Sequence, residues 1–244
     1  MNPRPRSRRT PSPASEERER PATPGRRYDF HAHTFLTDGR ASATDMWSEA
    51  IVRGHRMLAI TDHVALEDPA PLLERLRSEA RAFEDDRILP LIGVELTMLP
   101  PRRIADAART ARRAGAQVVI VHGETLANAV PLGTNRAAVE CGLVDVLAHP
   151  GFLTEEEADL AVAHGTFLEI SGRALHSATN GHVARVALAA GADLVVDSDA
   201  HDTDQLLTYS VADRFARGAG LTVAEAQRAL DEAPARLLRR CQGG

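Results

Sequence analysis

The chain has 244 residues, 43% hydrophobic and 26% charged, with a formal net charge of −5, enough to bury one sizeable core and compatible with a single-domain α/β barrel. The longest apolar runs are strand-sized and no apolar stretch follows the N-terminus. Composition therefore argues against a membrane span or a secretory leader and predicts a cytoplasmic protein. Cys141 and Cys241 lie far apart with no C-x-x-C spacing, so free thiols, one buried and one exposed in the C-terminal tail, are expected rather than a disulfide or a zinc knuckle.

Residues 1–27, "MNPRPRSRRTPSPASEERERPATPGRR", hold eight Arg, three Glu and almost no large apolar group, so a disordered basic tail is expected there. The remainder, 28–244, then carries a net charge of −10. An acidic body argues against an extended nucleic-acid track, because phosphate binding without sequence readout depends on clustered cations.

From residue 28 onward short β-branched runs alternate with helix-like segments, the pattern of repeated βα units on a parallel sheet. The first strand, "RYDFHAH", ends in His31 and His33, with Asp38 just beyond. A helix follows in "SATDMWSEAIVRG", opened by an N-cap Ser and an acidic first turn and closed by Gly. The second strand, "RMLAITDH", ends in Asp62 and His63, and the third, "LPLIGVEL", carries Glu95. "AQVVIVHGE" brings His122 and Glu124, and "LVDVLAHPG" brings His149. The helix "TEEEADLAVAHG" leads to a sixth strand, "GTFLEISGR", with Arg173. The seventh, "ADLVVDSDAH", ends in Asp199 and His201, and one helix, "TVAEAQRALDEAPARLLRR", closes the chain.

Every strand thus ends in a charged or metal-ligating side chain. In a (β/α) barrel the carboxyl ends of the strands face one mouth, so these groups converge there. Alternate residues share a face, which lets His31 and His33 bind one ion and Asp199 and His201 reach a common centre. Imidazole with carboxylate suits Zn, Fe or Mn, and a Glu on the third strand can bridge two ions about 3.5 to 4 Å apart. The chain has no Lys, which removes a carbamylated lysine as the bridge and argues against a dinuclear amidohydrolase.

"HAHTFLTDG", "AITDH", "GVE", "VHGE", "LAHPG" and "DSDAH", in that order, resemble the motifs of the PHP (polymerase and histidinol phosphatase) phosphoesterases. The resemblance implies a distorted (β/α)7, TIM-like barrel and three divalent ions (Zn, Mn or Fe). His31, His33, Glu95 and Asp199 would hold the first ion. Glu95 would bridge to a second held by His122 and His149, and Asp38, His63 and His201 would hold the third. Arg173 resembles the family's phosphate-binding Arg, and Arg173, Asp199 and His201 are the catalytic candidates.

His176 is a candidate substrate contact beside Arg173; for His176, Asn180 and His182 such a contact competes with loop hydrogen bonding. Glu124 and Asp62 are expected to orient neighbouring ligands, while His55 and His164 are assigned to structure. The loop "ANAVPLGTNRAA", with Gly133 and Arg136, either covers the mouth or caps a helix through Thr134 or Asn135. The implied reaction is hydrolysis of a small phosphate monoester, histidinol phosphate being the substrate that small single-domain members suggest, by water activated on the ions. The rival within the same family is a nuclease or nucleotide phosphatase; a non-catalytic module would have lost ligands. No extended nucleic acid and no membrane is expected as a partner.

Overall fold

The computed structural model describes residues 27–83 and 85–243; the expected disordered tail lies outside them except for Arg27. The strands are β1 (Arg27–Asp29), β2 (His55–Ile60), β3 (His63–Val64), β4 (Leu89–Leu96), β5 (Val118–His122), β6 (Val146–Ala148), β7 (Phe167–Ser171) and β8 (Leu194–Asp197). Between and after them run α1 (Ala43–Val52), α2 (Ala70–Ala82), α3 (Ile104–Arg113), α4 (Thr134–Glu140), α5 (Glu155–His164), α6 (Asn180–Ala190), α7 (Tyr209–Gly218), α8 (Val223–Gln227) and α9 (Ala233–Gln242).

All strand pairs are parallel, in the order β1-β2-β4-β5-β6-β7-β8, with β3 paired to β4. β2 and β3 are one stave interrupted at Thr61 and Asp62: β2 pairs with the lower half of β4 (Met57 with Leu89) and β3 with the upper half (His63 with Glu95). The ends meet through a parallel bridge between Ala32 and Ala200, reinforced by the His33 N–H donating to the Ala200 carbonyl at 2.8 Å. The result is the α/β, TIM-like barrel of seven staves that the βα alternation predicts.

The strands are apolar on both faces because both faces are covered. Met57, Ala59, Leu91, Val118, Ile120, Val146, Phe167 and Val195 form one cluster, while Val94, Val119, Val121, Leu147, Leu168, Ile170 and Val196 pack with the helices in another. Gly93 belongs to this pattern through its missing side chain, since a Cβ there would sit 2.2 Å from the Val118 carbonyl oxygen.

The caps are those the sequence signals. Ser42 with Asp45 and Thr154 with Glu157 form capping boxes on α1 and α5, and Gly165 ends α5 at φ 71°. The closing helix expected over 222–240 is instead α8, a π-helical turn over Arg228–Glu232, and α9. Pro234 is the cause, for it has no N–H to continue the α-helical ladder.

Two expectations at the chain ends need correction. Arg27 begins β1 rather than ending the tail. It is 1% exposed, with Nη2 2.9 Å from Asp29 Oδ2 and Nε donating to the Leu207 carbonyl. Cys241, expected to be exposed, is buried because Ala233, Leu237 and Cys241 share one face of α9 and press into the inner strand cluster. Both cysteines are free. Among the described residues no helix is long and apolar enough to cross a membrane.

Candidate metal centre

His31 and His33 follow β1, Asp38 lies in the loop after it, and His63 opens β3. Glu95 is the penultimate residue of β4, His122 ends β5, His149 follows β6, and Asp199 and His201 follow β8. Strand geometry puts all nine on the carboxyl-end face, and their side chains meet in three overlapping groups. In the first, the Nε2 atoms of His31 and His33 are 3.0 Å apart and each lies 3.4 Å from Glu95 Oε2, with Asp199 Oδ1 at 3.7 and 3.3 Å. In the second, Glu95 Oε1 stands 3.0 Å from His122 Nδ1 and 3.5 Å from His149 Nε2. In the third, Asp38 Oδ2 is 3.1 Å from His201 Nε2 and 3.4 Å from His63 Nε2, with His33 alongside.

Donors so arranged fit divalent cations. His33 Nδ1, Glu95 Oε2 and His149 Nδ1 are buried with no hydrogen-bond partner, a costly state for polar atoms unless a ligand completes them. The charges point the same way. Burial favours neutral His31, but Asp199, Glu169 and Glu95 outweigh it and raise its pKa well above the usual imidazole range. Burial is likewise outweighed at His63, which Glu95 and Asp38 push up to about 10. Against their own burial, the carboxyls of Glu95, Asp38 and Asp199 are held low by the surrounding imidazoles. His33, dominated by burial, falls to about 3. Anionic carboxylates facing imidazoles through short gaps form a cation's coordination shell.

Arg173, in the loop after β7, reaches this rim. Its Nη1 contacts the His201 ring and lies 3.3 Å from the Asp199 carbonyl oxygen and 3.4 Å from Asp199 Oδ1. The side chain is 35% exposed and its hydrogen bonds to other described residues all run through Nη1, which leaves Nε and Nη2 for another anion. His176 is buried; its Nδ1 is 2.7 Å from Thr125 Oγ1, its Nε2 is 3.9 Å from Asp199 Oδ2, and its ring stacks on His149 at 4.1 Å.

The other singled-out residues serve the frame. Asn180 exchanges hydrogen bonds with the Ser171 backbone, and His182 meets the Leu153 carbonyl. Glu124 does not touch His122: its Oε1 accepts from the N–H groups of Gly133 and Asn135, because the chain turns there to start α4. Asp62 holds no ligand directly but accepts from the Thr34 N–H and the hydroxyls of Thr34 and Thr37, fixing the loop between His33 and Asp38. Thr134 bonds the Pro131 carbonyl, Asn135 bonds the Pro150 carbonyl, and exposed Arg136 pairs with Glu140 and Glu156. His55 donates from Nδ1 to the Ala50 carbonyl at the end of α1, 3.1 Å away, and His164 is exposed in the last turn of α5.

Sequence reasoning missed Glu169, wholly buried in β7, with Oε1 2.7 Å from His31 Nδ1 and Oε2 accepting from the His149 N–H at 2.9 Å. A carboxylate inside an apolar strand, in phase with inward Phe167, was its signal. Thr97, whose Oγ1 is 2.7 Å from His63 Nδ1, was also missed.

A (β/α) barrel with overlapping imidazole and carboxylate clusters at its mouth defines a class of metal-binding barrel. The chain belongs to the PHP domain family, whose model matches residues 29–190. An uncharacterized protein of Methanocaldococcus jannaschii is 38% identical over 88% of this chain and 99% of its own length. Ribonuclease P protein component 3 of Methanosarcina mazei is 28% identical over 89% of this chain and 90% of its own. The structure of histidinol phosphate phosphatase from Lactococcus lactis, complexed with zinc, L-histidinol and phosphate, superposes with a TM-score of 0.54. It shares 14% identity and covers 88% of this chain and 94% of that one. At that identity the likeness shows the fold.

Proposed function

We propose that this metal-dependent hydrolase of the PHP family cleaves small phosphate monoesters, with histidinol phosphate as the first substrate to test. The observation that carries the reading is the juxtaposition of the three donor clusters with the Arg173 guanidinium on one rim. His31, His33, Glu95 and Asp199 would hold one ion; Glu95, His122 and His149 a second; Asp38, His63 and His201 a third. When bound, the ions neutralise phosphoryl oxygens and make hydroxide available near neutral pH.

The chain's own residues then position the ester. Arg173 grips the terminal phosphoryl oxygens with the open part of its fork. Asp199, already fixed by His31 and His33, holds the Arg173 fork at 3.4 Å and so sets the side from which phosphate is bound. His201, between Asp38 and Arg173, orders the same side. His176, anchored at Nδ1 by Thr125, presents Nε2 to the leaving oxygen as hydrogen-bond partner.

A second reading, nuclease or nucleotide phosphatase, is favoured by relatives: besides the ribonuclease P component, the DNA polymerase/3'-5' exonuclease PolX of Bacillus subtilis is 28% identical over 73% of this chain. This chain spans 35% of that protein's length. The net charge of −10 over residues 28–244 supports the monoesterase instead, since a polynucleotide needs cations for its flanking phosphates. The test is kcat/KM for small monoesters against DNA and RNA oligomers. Higher values on monoesters are expected, and faster cleavage of internal phosphodiesters replaces this reading with the second.

A further inference from the structure

We propose that Glu169 is a positioning residue that fixes the ring of His31 and the backbone of His149 together, coupling the first and second ion sites. The proposal rests on the metal-dependent reading above and deepens it. Glu169 lies on β7 with its carboxylate completely buried between the apolar inner cluster, which Phe167 joins two residues earlier, and the metal-ligating groups. A buried carboxylate needs partners for both oxygens, and both partners belong to candidate ligands from other staves. Oε1 faces His31 Nδ1 at 2.7 Å, and Oε2 accepts from the His149 N–H at 2.9 Å.

The first contact decides which nitrogen of His31 faces the ions. A carboxylate is acceptor-only, so it keeps the proton on Nδ1 and leaves the Nε2 lone pair for a cation. That Nε2 is the atom that lies 3.0 Å from His33 Nε2 and 3.4 Å from Glu95 Oε2. The second contact acts on the backbone. His149 sits at φ 30°, one of four non-glycine residues with positive φ among those described; such a strained conformation persists only when its surroundings hold it. The Glu169 oxygen holds the N–H of that residue, and the conformation places His149 Nε2 within 3.5 Å of Glu95 Oε1. One carboxylate therefore governs a ligand on each side of bridging Glu95.

Glu169→Gln tests this with almost no change of shape. An amide offers one acceptor and one donor group where the site presents two donors, so Gln satisfies either His31 Nδ1–H or the His149 N–H and opposes the other. Zinc affinity, measured by competition with a chromophoric chelator, is expected to fall about 10- to 100-fold, with the circular dichroism of the metal-free protein unchanged. In zinc-loaded wild-type protein, 1H–15N correlation of the imidazoles is expected to show the His31 proton on Nδ1 and the metal on Nε2. Wild-type zinc affinity in Glu169→Gln, or His31 bound to zinc through Nδ1, overturns the proposal. The spectrum decides it even if the variant does not fold. Failure of the wild-type protein to bind any divalent metal is the separate result that would remove the underlying functional reading.

Discussion

Replacing Arg173 by Ala removes one cation from the rim without touching any candidate metal ligand covalently. Its side chain is 35% exposed and already spends Nη1 on the Asp199 carbonyl at 3.3 Å and on the His201 ring, so at most the remaining part of the fork can serve a phosphoryl group. Two charge-assisted hydrogen bonds, each worth ~1.5–3 kcal/mol when shielded, are discounted toward the lower bound by that exposure. The sum is about 3 kcal/mol of transition-state stabilisation, or roughly 100-fold in kcat/KM. Arg173→Lys keeps the charge but not the planar fork and is expected to recover only part of the loss. The assay is the initial rate of phosphate release from small monoesters, with bound metal quantified in the same samples. Wild-type kinetics in Arg173→Ala, or loss of metal in proportion to loss of rate, refutes the assignment of Arg173 to the phosphoryl group.

Glu95 has imidazole nitrogens of His31, His33, His63, His122 and His149 within 3.5 Å. Glu95→Ala is therefore expected to lose at least one metal equivalent by elemental analysis and about 1,000-fold in rate while the barrel remains folded; normal metal content and turnover contradict the bridge. Stability against acid is set in part by Asp29, whose carboxyl, against the effect of its burial, is lowered to about 2 by Arg27 and His55. Because the folded pKa lies below the unfolded one, this stabilisation is complete above about pH 4 and disappears as pH falls toward 2, a difference of ~2 kcal/mol. Asp29→Asn is expected to flatten the dependence of unfolding free energy on pH across that window in chelated protein; an unchanged slope counts against the pairing.

The fold was legible because a parallel barrel announces itself locally. Most staves are short β-branched runs, several helices carry a capping box or a terminal Gly, and the ligand types cluster where strands end. The candidate ligands were legible for the same reason: His31 and His33, or Asp199 and His201, share a face by strand alternation alone. What stayed hidden depends on contacts distant in sequence. Glu169 reads as one charge in "FLEIS" until β1 and β6 are brought to its two oxygens, and Glu124 reads as a neighbour of His122 until the chain turns and its oxygen is taken by the start of α4. The last helix reads as one run over 222–240, and only the structure shows the π-helical turn over Arg228–Glu232 that precedes Pro234.

The central claim is that the clustered donors and Arg173 make a metal-dependent phosphomonoesterase. It is tested most directly by phosphate release from a panel of monoesters, histidinol phosphate included, alongside oligonucleotide cleavage, before chelation, after chelation and after return of Mn, Zn or Fe. The account predicts monoester hydrolysis that chelation abolishes and a divalent metal restores, well above any cleavage of internal phosphodiesters. Full activity in extensively chelated, metal-free protein, or a metal-loaded protein that cleaves oligonucleotides faster than every monoester, would contradict it.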